Sequence, residues 1–149
     1  MNLLLPCLYS FIACIGFCLV FNIRSPLRMI TASLVGALGW GVYLLCGGLH
    51  NDFFQYFIAT IVISICSEIL ARIFKAPVTE FLVVSLLPMV PGGGIYYTME
   101  YCINGETSLF LETGLHTLGI AGSLAVGILL VSSVVRLWHT VHHTLDRQT

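Results

Sequence analysis

Residues 88–94, with the sequence PMVPGGG, interrupt a strongly apolar stretch of the chain. Two prolines and three glycines break a helix, and each freed peptide group is costly where only lipid surrounds it. The segment indicates either a path in which half-helix ends hold a solute or a packed kink. In the first interpretation, glycine amides where the helix restarts favour a carboxylate, and nearby hydroxyls add donors. The candidate residues of this path are Pro88, Pro91, Gly92, Gly93, Gly94, Tyr96, Tyr97 and Thr98.

Glu68 is an acidic residue within an apolar run, and Arg72 lies four positions later on the same helix face. An acid inside the bilayer is costly, which makes Glu68 a functional candidate for proton coupling or gating together with Arg72. The competing interpretation is an ion pair at the cytoplasmic boundary, with Arg72 reaching towards water. Glu80 is a further coupling candidate at the mouth of the next span, or it belongs to a helix start capped by Thr79.

No catalytic constellation accompanies these residues, since the chain has no nucleophile elbow, phosphate-binding loop, zinc signature or dinucleotide fingerprint. Its six cysteines form no Cys-x-x-Cys pair. Cys7, Cys14 and Cys18 share a helix face, which is typical of small packing residues. We therefore predict no enzyme activity, no cofactor and no metal site.

The composition of the chain is that of a protein whose surface faces lipid. Hydrophobic residues make up 58% of its 149 residues and charged residues 9%, whereas a soluble domain carries roughly 25% charged residues. Mean hydropathy is +0.97. The net charge of −1 provides no basic field that would attract nucleic acid. We predict an all-α integral membrane protein that contacts the lipid bilayer and has no nucleic-acid partner.

The chain contains five apolar runs near the length of about 20 residues that a spanning helix needs. They cover residues 3–21, 29–47, 53–74, 79–103 and 113–135. Small residues in the second and fifth runs allow helix backbones to approach closely in lipid. The pattern predicts a bundle of about five transmembrane helices over residues 1–135, with the fourth helix interrupted, and a polar cytoplasmic tail over residues 136–149.

The distribution of basic residues predicts an orientation, because lysine and arginine concentrate in cytoplasmic loops. If the N-terminus lies outside, all six basic residues fall on the cytoplasmic side. These residues are Arg24, Arg28, Arg72, Lys75, Arg136 and Arg147. We expect a multi-pass protein of the cell membrane with an external N-terminus and a cytoplasmic C-terminus.

Residues 68–99, EILARIFKAPVTEFLVVSLLPMVPGGGIYYTM, resemble the threonine/serine exporter family, and in particular its smaller, C-terminal-type membrane domain. The LPMVPGGGIYYTM part matches the proline–glycine signature of that family, which is followed by Tyr and Met. The matching residues before this signature are Glu68, Ala71, Arg72, Lys75 and Pro77.

The resemblance implies a secondary exporter of small hydrophilic metabolites, with threonine and serine foremost and dicarboxylates also implicated. Some family members are one long chain, and others are split into a larger and a smaller subunit. A chain of this length implies a separate larger membrane subunit as partner, and a homo-oligomer stays open. The alternative is a non-transporting accessory or assembly protein, whose small-residue helix faces hold that partner.

Overall fold

The computed structural model describes residues 4–48 and 51–145, with side chains described as far as residue 138. The described residues form six α-helices and two 3₁₀ turns, and they contain no strand. The α-helices are α1 Leu4–Val20, α2 Pro26–Leu45, α3 Asp52–Phe74, α4 Val78–Leu86, α5 Gly92–Ile103 and α6 Thr107–Leu145. The 3₁₀ turns are Cys46–Gly48, after α2, and Leu87–Met89, after α4.

Three segments of the described chain are long and apolar enough to cross a membrane: Pro26–Gly48, Asp52–Phe74 and Thr107–Trp138. Val78–Met89 and Gly92–Ile103 pass the same test as a pair that is bent by 52° at its break, which is the geometry of a broken span or of a re-entrant loop. The remaining apolar helix, α1, has 17 residues, at the lower limit of the roughly 17–25 residues that span a bilayer. The fold is therefore the predicted all-α membrane bundle with an interrupted fourth helix.

Two residues with a left-handed backbone conformation follow helices at the basic end of the bundle. Asn22 has φ 58° just after α1, and Lys75 has φ 49° just after α3. Pro26 then occupies the first turn of α2 and Pro77 caps α4, since proline is preset for a helix start and cannot continue the preceding helix. Both turns are short, so α1–α2 and α3–α4 are antiparallel neighbours.

The last helix differs from the prediction at both ends. It begins at Thr107 rather than at residue 113, directly after a turn in which Gly105 has φ 74°. It also continues to Leu145, through most of the predicted polar tail, and residues 146–149 lie outside the described part. Polar composition marks where a chain leaves lipid, but it does not end a helix that has no breaking residue. The cytoplasmic position of residues 136–149 stays a prediction.

Small residues sit where the helices come closest. A Cβ at Gly36 of α2 would overlap Cys14 Sγ of α1 and lie 3.4 Å from the Ser85 backbone of α4. A Cβ at Gly39 would likewise overlap the Ile63 side chain of α3. One turn earlier on α3, Thr60 would lie 3.0 Å from a Cβ at Gly127 of α6. These glycines allow the close backbone approach that drives packing in lipid.

Hydrogen bonds between helices tie α1, α2 and α4 into one block. Ser10 of α1 donates to the Gly36 carbonyl at 3.2 Å, and Ser85 of α4 donates to the Ala32 carbonyl at 2.8 Å. Both serines are buried. Such bonds hold neighbouring helices in register where no water competes.

We expect Gly36→Val to destabilise the protein, because its side chain has to displace Cys14 and press on the Ser85 backbone. The expected loss is about 1–3 kcal/mol of unfolding free energy, the usual cost of overpacking. Gly16→Val is the matched control, since a Cβ at Gly16 of α1 meets nothing within 4 Å. The midpoint of thermal unfolding of the detergent-purified protein measures both. Equal midpoints for the two variants would contradict the packing assigned to Gly36.

Candidate functional site

The interruption after α4 consists of two proline-directed turns. The Val90 N–H donates to the Leu87 carbonyl at 3.2 Å and closes the 3₁₀ turn. Pro91, with φ −75° and ψ 61°, is the centre of an inverse γ-turn in which Gly92 N–H donates to the Val90 carbonyl at 2.7 Å. Helical bonding resumes at Ile95, whose N–H donates to Pro91 at 3.1 Å. The predicted break of the fourth helix is confirmed, and its cause is the pair of prolines.

Pro88 leaves the Val84 carbonyl without its usual helical donor, because proline has no N–H to offer four residues on. The Cys14 thiol of α1 takes that place and donates to the Val84 oxygen at 3.4 Å. Cys14 is fully buried, and Val84 is 1% exposed. The break is therefore satisfied inside the bundle by a side chain of another helix, as a membrane interior requires.

Met89 anchors the break in the core. It is 1% exposed and packs in the same buried cluster as Val35 of α2 and Ile63 of α3. Pro88 is half-buried and lines a cavity of about 290 Å³ together with Ser10 and Trp40. The proline end of the interruption is consequently a packed element among α1, α2 and α3.

The glycine end is different, because its first two residues face open space. A Cβ at Gly92 or Gly93 would meet nothing within 4 Å, and no side chain caps α5. A Cβ at Gly94, in contrast, would overlap Thr117 Oγ1 of α6. The three glycines thus have two roles: Gly92 and Gly93 leave the start of α5 open, and Gly94 lets α5 pack on α6.

Of the three predicted hydroxyl donors, two lie on exposed side chains. Tyr96 is 65% exposed and Tyr97 52% exposed. The Thr98 hydroxyl instead donates to the Gly94 carbonyl of its own helix at 2.7 Å. Its methyl group faces Gly114 of α6, where a Cβ would lie 3.2 Å away. Thr98 is therefore a packing residue in this structure. Thr117 on α6 also bonds within its own helix, because its hydroxyl donates to the Thr113 carbonyl at 2.7 Å.

Glu80 lies in the first turn of α4 and forms an ion pair with Arg28 of α2. Arg28 Nη1 lies 2.9 Å from Glu80 Oε1 and 3.0 Å from Oε2. The two side chains are 34% and 18% exposed. The expected Thr79 cap is not formed: Pro77 occupies the N-cap position, and no side chain bonds the helix start.

Around this pair opens a cleft of about 580 Å³ between the α1–α2 turn and the start of α4. Arg24 enters it from the turn, with its Nε donating to Asn22 Oδ1 at 3.2 Å. The lining residues are Phe21, Asn22, Ile23, Arg24, Arg28, Pro77, Thr79, Glu80, Val83 and Val84. We refer to this cavity as the Arg28–Glu80 cleft.

Sequence reasoning missed Arg28 as a functional residue, because its partner lies 52 positions away. One signal was present: the predicted topology places the start of the second span and the start of the fourth at the same membrane face. An acid in the first turn of one span and a base in the first turn of the other are then at the same depth.

Glu68 and Arg72 line a second cleft, of about 270 Å³, between α3 and α6. Trp138 of α6 closes one side of it, and the other lining residues are aliphatic. Glu68 is half-buried and Arg72 is exposed. The two side chains share a cleft but, in the described part of the chain, form no ion pair with each other. Their coupling role stays a prediction.

A family model described as "Threonine/Serine exporter, ThrE" matches residues 6–134, most of the chain. The chain belongs to the threonine/serine exporter family. The exporter match extends from α1 into α6 and includes the interruption, the Arg28–Glu80 cleft and the lining of the second cleft except Val135 and Trp138. No curated protein and no solved structure matches the chain. Family and fold together make this an exporter-type, multi-pass membrane protein rather than a member of an enzyme class.

We expect Cys14→Ala to cost about 1–3 kcal/mol of unfolding free energy, because it leaves the buried Val84 carbonyl unpaired. In a Pro88→Ala background the same change should cost less, since residue 88 then offers its own N–H to Val84. Chemical unfolding of the four proteins of this double-mutant cycle measures the difference. Cys14→Ser is the control that keeps a donor. A Cys14→Ala cost that is the same in both backgrounds would disprove this account of the break.

Proposed function

We propose that this chain is the smaller subunit of a two-component secondary exporter, and that it acts with a larger membrane subunit. The solutes are threonine, serine or related small hydrophilic metabolites, with dicarboxylates as a further class. The observation that carries the proposal is the interrupted fourth span, which is packed at its proline end and open at its glycine end. Family membership supplies the transport activity.

The open glycine end is suited to a carboxylate solute. The first helical hydrogen bond of α5 is donated by the Ile95 N–H. The N–H groups of Gly93 and Gly94 come before it and therefore have no carbonyl of the preceding turn to donate to. A helix start of this kind has a partial positive charge and points N–H groups at an anion. Tyr96 and Tyr97, with ring centroids 5.5 Å apart, add exposed hydroxyls in the next turn. Pro88 and Pro91 create this start by ending the preceding helix.

The surface that α5 leaves uncovered supports the proposal of a partner. None of its residues is buried, and it packs against α6. Open amides, two tyrosines and Glu100 are costly against lipid tails. A second protein surface that covers this side of α5 would enclose the path and remove that cost. The larger subunit of the exporter is the partner we propose for this surface.

Coupling is assigned to the acidic residues at the basic end of the bundle. Glu68 is a half-buried carboxylate near Arg72, and Glu80 forms an ion pair with Arg28. Protonation of either carboxyl group removes one charge and changes its local interactions, which is how a proton gradient can drive a gate. We place this end in the cytoplasm and the N-terminus outside, at the plasma membrane, because the basic residues gather here.

We expect Gly93→Leu to reduce threonine efflux to background in cells that lack both native subunits and express both proteins from plasmids. The leucine fills the open start of α5 without disturbing a packed contact. Gly122→Leu on α6 is the matched control, because a Cβ there also meets nothing within 4 Å. Wild-type efflux by Gly93→Leu at equal expression would remove the glycine segment from the path.

The same segment distinguishes an exporter subunit from an accessory protein. A cysteine at position 93 should react with a water-soluble thiol reagent when both subunits are present, whereas one at position 94 is shielded by Thr117. An unreactive position 93, together with intact partner assembly, would favour the accessory role.

Glu68→Gln should abolish efflux driven by a proton gradient and leave the two subunits associated. Glutamine keeps the size of the side chain but can neither take up nor release a proton at neutral pH. Glu112→Gln, at an exposed position of α6, is the control. Efflux rates at a series of imposed pH gradients measure the effect, and an unchanged dependence in Glu68→Gln would exclude Glu68 from coupling.

A further inference from the structure

We propose that the Arg28–Glu80 cleft binds a free α-amino acid in its zwitterionic form, which inserts between the two side chains and separates them. The carboxylate of the ligand replaces Glu80 on Arg28, and its ammonium group replaces Arg28 on Glu80. This inference rests on the proposed function for the role of the bound molecule, but the binding itself is a property of this chain alone.

The cleft has the size and access of a small-molecule site. Its volume of about 580 Å³ lies within the roughly 300–1,000 Å³ of ligand pockets in proteins. Arg28 and Glu80 are only partly buried, at 34% and 18% exposure. A ligand that enters from the aqueous side therefore reaches both charged groups without unpacking a helix.

The cleft contains more positive charge and more N–H donors than the contacts with Glu80 occupy. Both contacts of Arg28 to Glu80 come from Nη1, and a guanidinium presents five N–H donors in a fork that matches a carboxylate. Arg24 lines the same cleft. The start of α4, which has no capping side chain, adds the positive end of a helix dipole. Two arginines and a helix start thus face a single carboxylate of the protein.

The negative side consists of Glu80, the one acid that lines the cleft. An ammonium group has three donors and no acceptor, and a carboxylate is its natural partner. In an α-amino acid the ammonium and carboxylate groups are attached to the same carbon atom. Such a ligand bridges an acid and a base that are already neighbours, and each charge of the ion pair exchanges one partner for another. Because no charge is left unpaired, the free-energy cost of this exchange of partners is small.

Glu80 also makes the cleft selective. A dicarboxylate satisfies the arginines with its first carboxylate, but its second carboxylate meets Glu80 with like charge and disfavours binding. A monoamine without a carboxylate leaves Arg28 unpaired. Thr79 and Asn22 on the cleft wall offer hydrogen bonds to a short hydroxylated side chain. The geometry therefore favours small polar amino acids over the dicarboxylates that are the second solute class considered above.

The test is equilibrium binding of radiolabelled L-threonine to the purified full-length chain in lipid nanodiscs. We expect saturable binding that L-serine competes with, and that L-threoninol (which lacks the carboxylate) and L-lactate (which lacks the ammonium group) do not. Glu80→Gln should weaken threonine binding by about tenfold or more, the loss expected for one charge-assisted bond. The same variant should bind succinate more tightly than the wild type, because the repelling charge is gone.

Two further variants keep the test independent of folding. Arg28→Lys retains the positive charge and the ion pair but loses the guanidinium fork, so it should weaken threonine binding while the midpoint of thermal unfolding stays near that of the wild type. Glu112→Gln changes an exposed acid outside the cleft and should bind as the wild type does.

The proposal is overturned if the folded wild-type chain shows no saturable threonine binding, or if Glu80→Gln leaves threonine affinity unchanged. It is also overturned if succinate binds the wild type more tightly than threonine. Parallel efflux measurements separate this site from the exporter role. Efflux without binding by this chain eliminates the cleft as the site, whereas binding without efflux eliminates the exporter role and leaves the cleft in place.

Discussion

The structure depends on one constraint, that every peptide group at membrane depth must find a polar partner other than lipid. Most of the described chain meets it with uninterrupted helices, in which each N–H reaches a carbonyl four residues back. The exception is the segment between α4 and α5, where two prolines remove donors. There the Cys14 thiol and a pair of tight turns supply what the helix cannot. An interruption of this kind is retained at a cost, and that cost argues for a function.

Several polar side chains in the interior form contacts that join one helix to another. Buried hydroxyls on α1 and α4 bond carbonyls of α2, and Arg28 pairs with Glu80 near the basic end. Each of these contacts joins one helix to another. Glycines at the crossings bring the backbones close enough for them to form. The bundle formed by α1, α2 and α4 is thus held together by packing and polar contacts that reinforce each other.

Much of this architecture is predictable from the sequence, because membrane helices are recognised by their length and hydropathy. The interruption at PMVPGGG was predictable from proline and glycine chemistry. The restart of the helix as early as Gly92 was not, because the glycines were expected to belong to the break and the helix to restart at Ile95. The start of α6 at Thr107 was not predictable either, since a polar segment can be helical or extended.

The contact of Glu80 with Arg28 was also not predictable, because it depends on how far α2 and α4 are rotated about their axes. Periodicity gives the face of one helix, but the partner of that face is decided by packing. For the same reason the contacts that Gly94 and Thr98 make with α6 were not predictable from the sequence.

The threonines between α5 and α6 have a consequence for motion. Thr98 and Thr117 donate their hydroxyls within their own helices, and each of them packs against a glycine of the other helix, Gly114 and Gly94 respectively. A small shear of α5 along α6 therefore breaks no hydrogen bond among those contacts, whereas shifting α4 against α2 has to break an ion pair and a serine bond. The described contacts therefore join α1, α2 and α4 through hydrogen bonds and an ion pair, whereas those between α5 and α6 are packing contacts.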